Sequence, residues 1–276
     1  MLGIYVIIME EKSKGKKTPL YRFIKWMVSL FYKKREFIGT ENIPSEPCII
    51  VSNHAQAHGP VTYELYFPAP KKIWCIGQMM RVKEVPNYSY EDFWSHKPSS
   101  VRWLYRILSY LIAIPSAYLF THADTIGVYK DARLRKTFRD TEKALLDGYN
   151  VVIFPEKPAS FNEIINEFQD KFVDVARHYY RVHKKPLYFV PSYNSPALKK
   201  VVFGKPILFD ADRDIAEVRA EICDYLKNEI TALAKSLPLH RVVPYDNIPK
   251  SKYPYSKKFK TDESVESDLP QMPTDE

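Results

Sequence analysis

Cys48-Ile-Ile-Val-Ser-Asn-His54 is a short β-branched run that stops on a polar pair. Tyr149-Asn-Val-Val-Ile-Phe-Pro-Glu156 repeats the device, ending an apolar run on a proline and a carboxylate. Runs this short, apolar at successive rather than alternate positions, read as strands buried on both faces. Helical patterns lie between and after them. Leu134, Phe138, Thr141 and Leu145 predict a helix over 131–147, with Asp131 as N-cap and Gly148 as the C′ residue. Ile165, Phe168, Phe172, Val175 and Tyr179 predict another over 161–182, and Ile215, Val218, Ile222, Leu226 and Ile230 a third over 213–236. Further strands are expected at 73–76, at 187–190 where Pro191 halts the run, and at 200–203. Strands alternating with helices imply an α/β layered fold with a mostly parallel sheet flanked by helices. In such sheets functional groups gather at the carboxyl ends of strands, where Asn53-His54 and Pro155-Glu156 both fall.

Composition narrows the classes. With 276 residues, 45% hydrophobic and 27% charged, the chain is long and apolar enough to bury a core. No apolar run reaches the roughly 20 residues of a spanning helix. Cys48, Cys75 and Cys223 are too few and too scattered for a disulfide scaffold or a zinc cluster, and fit a reducing compartment. Eight glycines and no internal period exclude collagen-like and solenoid readings.

The formal charge is +8, and its placement is uneven: residues 1–40 carry nine Lys/Arg against three Glu. Within that segment Leu20, Phe23, Ile24, Met27, Val28 and Phe31 recur at helical spacing, with Arg22, Lys25 and Ser29 opposite and Trp26 on the flank. A basic amphipathic helix with an aromatic at its boundary has the composition of an element lying in a membrane interface. The plainer alternative is a core-packing helix with a solvated basic face. The organisation expected is a basic interfacial segment at 1–35, one α/β domain at 36–249 and a disordered tail at 250–276, whose last stretch from Thr261 carries six acids and no base. Residues 104–120 are apolar but include Arg106 and Pro115, and predict a buried helix broken at Pro115, with a lipid-dipping element as the sharper alternative. No nucleic-acid recognition module is recognisable, so no nucleic-acid partner is expected.

A histidine directly after a strand is a candidate general base. His54 and His58 also make an H-x-x-x-H spacing to which Glu64 could add a third metal ligand. His54 sits at a strand end rather than within the helix, however, and no metal is expected.

Four blocks in order resemble the glycerolipid acyltransferase family, typified by 1-acyl-sn-glycerol-3-phosphate acyltransferase. The family's N-H-x-x-x-x-D reads Asn53-His-Ala-Gln-Ala-His-Gly59, and its F-P-E-G-T-R-S reads Phe154-Pro-Glu-Lys-Pro-Ala-Ser160. Thr125-Ile-Gly-Val-Tyr-Lys130 resembles the second block, with Lys for the usual Arg, and Phe189-Val-Pro191 resembles the fourth. Gly39-Thr-Glu-Asn-Ile-Pro44 resembles the family's lead-in. The resemblance implies an acyltransferase in which His54 takes the proton of an acceptor hydroxyl. The acyl donor would be acyl-CoA or acyl-carrier protein, as co-substrate rather than cofactor, and the acceptor a lysophospholipid or a related molecule. It implies an acceptor site around Asn53, Lys130, Phe154, Pro155, Glu156 and Lys157, and an anionic membrane surface as partner, the protein lying peripherally on its cytoplasmic face.

The departures fall on chemistry. Gly59 stands where the family has the Asp that orients the imidazole, and Ala159 where it has an Arg. His58, Glu64 and Glu156 are the candidates to orient His54 in place of the missing Asp. Lys130 and Lys157 could supply charge for a phosphate, without the bidentate fork of Arg. The same substitutions fit a second reading, a catalytically inactive relative that binds lipid or a partner protein.

Overall fold

The computed structural model describes residues 18–257 apart from 96, 124, 130 and 161, and of Ser160 its backbone alone. In chain order the elements are α1 (Pro19–Phe31), β1 (Glu36–Ile38), β2 (Ile49–Ser52), α2 (His58–Tyr66), β3 (Lys71–Ile76), α3 (Val85–Ser89), α4 (Ser99–Leu111), α5 (Ala113–His122), β4 (Thr125–Val128), α6 (Leu134–Leu146), β5 (Asn150–Ile153), β6 (Glu156–Ser160), β7 (Asn166–Phe168), α7 (Asp174–His183), β8 (Tyr188–Ser195), β9 (Lys200–Phe203), β10 (Ile207–Leu208) and α8 (Ile215–Ser236). The main sheet runs β1-β9-β8-β2-β5-β3-β4, with β10 pairing β8. Its centre, β8-β2-β5-β3-β4, is parallel throughout, and β9 joins β8 antiparallel. The expected layered α/β architecture is therefore present.

The strands divide two cores by alternation, as the pleat requires. Ile49, Val51, Val151 and Ile153 face one side, with Phe172, Val175, Ile222, Leu226 and Ile230 from the helical segments there. Cys48, Ile50, Val152 and Val190 face the other, with Tyr63 and Phe67 around α2. Because β2 and β5 are adjacent and parallel, in register Val51↔Ile153, the loops that begin at Asn53 and Phe154 leave the sheet side by side.

Several boundaries differ from the sequence expectation. The helix expected over 161–182 is a hairpin, β6–β7, then a 3-10 turn at Asp170–Val173 and α7. Ile165, Phe168, Phe172, Val175 and Tyr179 are all buried, so the periodicity recorded burial on three successive kinds of backbone. Asn162 breaks the helix: its Oδ1 accepts the amides of Ile164 and Ile165, at 2.8 and 3.0 Å, and turns the hairpin. Strand β8 passes through Pro191 instead of halting there. Pro191 sits where the neighbour of β8 changes from β10 to β9, a position that requires no donated N–H. Residues 250–257, expected to open the tail, are folded: Lys250–Lys252 form a 3-10 turn, Tyr255 bridges Arg241, and Ser256 is buried.

The largest correction concerns the two amphipathic helices. Helix α1 docks through its polar edge. Tyr21 is its buried residue, its hydroxyl donates to Glu64 Oε1 at 2.9 Å, and Lys25 Nζ donates to the same oxygen at 2.9 Å. The apolar stripe points outward: Trp26 is 56% exposed, Leu30 59% and Phe31 86%. The core-packing alternative for this helix is thereby excluded. The buried-helix expectation for 104–120 also fails, since Leu104, Tyr110, Leu111 and Ile114 are exposed. The break falls at Ile112, where α4 and α5 meet at 43°. Pro115 lies within the first turn of α5, where a missing N–H costs nothing. Among the described residues no single helix is long and apolar enough to cross a membrane, whereas the bent α4–α5 pair is by length and composition. Thr18 hydrogen bonds Tyr118, and Tyr21 stacks on His122 at 6.4 Å, which joins the start of α1 to α5.

Candidate active site

The loop after β2 is built from two residues that pay a conformational cost. Ala55 and Gln56 both hold left-handed backbone, at φ of 46° and 55°. For side chains bearing a Cβ this costs about 1–2 kcal/mol each. The pair folds the chain back so that the main-chain carbonyl of Gln56 meets Nδ1 of His54. A carbonyl only accepts, so Nδ1 carries the proton and Nε2 keeps its lone pair. Burial lowers the pKa of His54, partly opposed by the Gln56 carbonyl, and the ring is neutral and basic near pH 7. Its faces are bounded by Phe154 and Tyr245, edge-on at 5.3 and 5.8 Å.

The other residues expected in the site divide into those gathered at His54 and those held elsewhere. Glu156 is buried beneath the loop. Its Oε1 accepts the His54 amide at 2.6 Å and its Oε2 accepts the Asn166 amide at 2.9 Å. It thus fixes the backbone of His54 rather than orienting its ring. Asn53 clamps β8, accepting the Asn194 amide at 2.7 Å and donating to the Asn194 carbonyl at 3.1 Å. With both ends of its amide on backbone, Asn53 extends the β2–β8 pairing by one step. Phe154 packs on both His54 and Tyr63. Pro155 is buried, its carbonyl accepting from Gln169. Lys157 is exposed on the β6–β7 hairpin. Lys130 lies outside the described residues.

Neither helical candidate for orienting His54 reaches it. Glu64 is taken by Tyr21, Lys25 and Lys71, in the docking of α1. His58 bonds the Tyr32 hydroxyl through Nδ1 at 3.0 Å and stacks on that ring. Burial and then the nearby positive charges of Arg35 and Lys250 lower its pKa. His54, His58 and Glu64 thus belong to three separate networks and do not converge on a metal position.

Position 59 explains why no Asp stands there. Gly59 is buried at the start of α2, and a Cβ on it would lie 2.6 Å from the His54 carbonyl oxygen and 2.7 Å from Phe154 Cε1. The feature missed from sequence is the pair Gln56 and Tyr245. The main-chain role of Gln56 leaves no trace in residue type, and Tyr245 lay in a segment without a motif.

No protein-family model matches the chain, and no curated protein sequence does. Among solved structures it is similar to the crystal structure of the 1-acyl-sn-glycerophosphate (LPA) acyltransferase PlsC from Thermotoga maritima, with a TM-score of 0.43 and 14% identity over 84% of this chain and 89% of that one.

Two outcomes are expected. Gly59→Ala forces the His54 carbonyl or Phe154 to move and destabilises the fold by about 1–3 kcal/mol in urea denaturation; an unchanged midpoint would contradict the packing described. Burial raises the pKa of Glu156 from 4.5 to about 7, against the pull of its two amide donors. The folded-state value lies above the unfolded one, so this contribution is full below pH 4.5 and is lost as pH rises through about 7. Glu156→Gln removes that dependence. It also turns an amide nitrogen toward a backbone N–H, which makes the variant less stable than wild type at pH 5. The stability gap between the two narrows by about 2 kcal/mol from there to neutrality, measured by urea denaturation across pH.

Proposed function

We propose that the protein transfers an acyl group from an acyl thioester, carried by coenzyme A or acyl-carrier protein, to the hydroxyl of a lysophospholipid-like acceptor at a membrane surface. The observation that carries this reading is the state of His54: neutral, with Nδ1–H given to a carbonyl and Nε2 left as a base, at the carboxyl end of the central strand β2. In the proposed reaction Nε2 takes the acceptor's hydroxyl proton as that oxygen attacks the thioester carbonyl carbon. The new C–O bond forms, the C–S bond breaks, and the imidazolium returns the proton to the departing thiolate. The order of sequence blocks around His54 and Phe154-Pro155-Glu156 supports the same chemistry.

The outward stripe of α1 supports the lipid part of the reading. Leu20, Phe23, Trp26, Met27, Leu30 and Phe31 face away from the protein, and the exposed Arg22, Lys33 and Lys34 lie beside them. Apolar side chains with flanking cations match an anionic bilayer, into which the first penetrate while the second meet headgroups. The protein would then sit peripherally, with the α4–α5 pair entering the same interface.

Wild type incubated with labelled acyl-CoA or acyl-carrier protein and a lysophospholipid panel should form diacyl product, and His54→Ala should lose roughly a thousandfold in kcat. Equal turnover by both proteins would remove His54 from the chemistry. Replacing Leu30 and Phe31 together by Glu should weaken flotation with phosphatidylglycerol vesicles about a hundredfold, at roughly 1.5 kcal/mol or more for each lost insertion. Undiminished flotation would exclude α1 as the contact.

A further inference from the structure

The chain beyond α8 turns back over the site instead of leaving the fold. Val242 N–H bonds the Pro254 carbonyl at 2.8 Å and Ser256 N–H the His240 carbonyl at 2.9 Å, so residues 240–256 close on themselves as a strap. The strap is anchored inside the protein. His240 gives Nδ1 to the Pro238 carbonyl at 2.7 Å, which leaves Nε2 to accept the Tyr193 hydroxyl of β8 at 2.9 Å. Its far side lies on the His54 loop. Gln56 Nε2 donates to the Tyr253 hydroxyl at 3.0 Å and, more weakly, to the Asp246 carbonyl at 3.4 Å, while the Tyr245 ring covers the imidazole.

Those contacts fall on the residue whose carbonyl sets the tautomer of His54. Gln56 is strained, is followed by an exposed Ala57, and has no other side-chain bond among the described residues. Backbone bonds close the turn around it, His58 N–H to the Ala55 carbonyl at 3.0 Å and Gly59 N–H to the His54 carbonyl at 2.9 Å, and the Gln56 side chain adds the tie from this turn to the strap. We propose that the main-chain carbonyl of Gln56 does the work of an orienting carboxylate, and that Tyr253, through the Gln56 side chain, is the positioning residue that keeps that carbonyl on His54. The strap is then part of the catalytic apparatus although it lies outside every recognisable motif. This rests on the acyl-transfer reading for its consequence in turnover, but not for its geometry.

The test reads the imidazole directly. In full-length protein labelled with 15N-histidine, long-range proton–nitrogen correlation, with His54 assigned by His54→Gln, should show His54 as the Nδ1–H tautomer. Tyr253→Phe removes only the bonding hydroxyl and Gln56→Ala removes the clamp while keeping the carbonyl. Each should shift His54 toward a mixture with the Nε2–H form and lower kcat about tenfold at unchanged KM, a fraction of the roughly 10⁴-fold cost of a wholly wrong tautomer. Dispersed spectra for the other histidines establish that a variant is folded, and either variant alone suffices. A wild-type His54 in the Nε2–H form overturns the carbonyl's role. Folded variants whose His54 tautomer stays as in wild type overturn the role of the strap. The expected tautomers with no acyl transfer by wild type would leave the positioning intact and sink the proposed reaction instead.

Discussion

The carboxylate of Glu156 ties the loop after β2 to the β6–β7 hairpin. One oxygen holds the amide of His54, at the end of β2, and the other that of Asn166, at the start of β7. Both donors are main chain and both are buried, so an apolar side chain at 156 would leave two amides without partners, each at a cost of about 1–3 kcal/mol. Burying the carboxyl is itself costly, and its raised pKa records that cost. The exchange fixes where His54 begins, which hairpin lies beneath it, and which way the backbone must turn next. The left-handed Ala55–Gln56 pair follows from that turn, and the orientation of the imidazole follows from the pair.

A second constraint acts on the outside. Amphipathic helices ordinarily bury the apolar side, and α1 buries its polar one. Glu64 makes this possible: accepting from Tyr21 and paired with Lys25 and Lys71, it offers a charged landing point on α2 that attracts the basic edge of α1. The apolar stripe is turned outward as a result, and α5 holds the start of the helix through Tyr118 and His122. Contiguous apolar exposure of this kind is unusual on a protein surface. The carboxylate read as a candidate for catalysis therefore serves the docking of α1.

Legibility followed the kind of signal. The central strands were readable because their β-branched runs have one physical solution, burial on both faces, and their adjacency then placed Asn53-His54 beside Phe154-Glu156. Helix α8 was readable from its periodicity, and the structure adds its cap, Asp214, which accepts the amide of Ala216. The 161–182 stretch was not, because a helical spacing of apolar residues records only which side is inside. Side-chain-to-backbone bonds at Asn162 and Glu156 overrode it locally. The face of α1 was legible as amphipathic, but which side would be buried depended on a distant carboxylate.

The substitution at 59 looks in sequence like the loss of a catalytic part. In three dimensions it is a packing requirement, since α2 starts so close to His54 that a Cβ would meet the carbonyl of that residue at 2.6 Å. Close approach of this kind and an orienting side chain at 59 are mutually exclusive. The tight turn that forbids the side chain is also the turn that swings the Gln56 carbonyl onto Nδ1. One geometric choice thus excludes a side chain at 59 and supplies a main-chain acceptor for the Nδ1 proton of His54. In the proposed reaction a neutral carbonyl would stabilise a developing imidazolium less than a carboxylate would, because its charge is partial. Enclosing the ring between Phe154 and Tyr245 lowers the local dielectric and strengthens the bond that remains. The same enclosure favours the uncharged ring, so His54 holds a lone pair at neutral pH at the expense of a less stable cation after proton transfer. In the proposed reaction such a ring would be available unprotonated at neutral pH, would be a weaker base than a solvated imidazole, and would give the proton up readily.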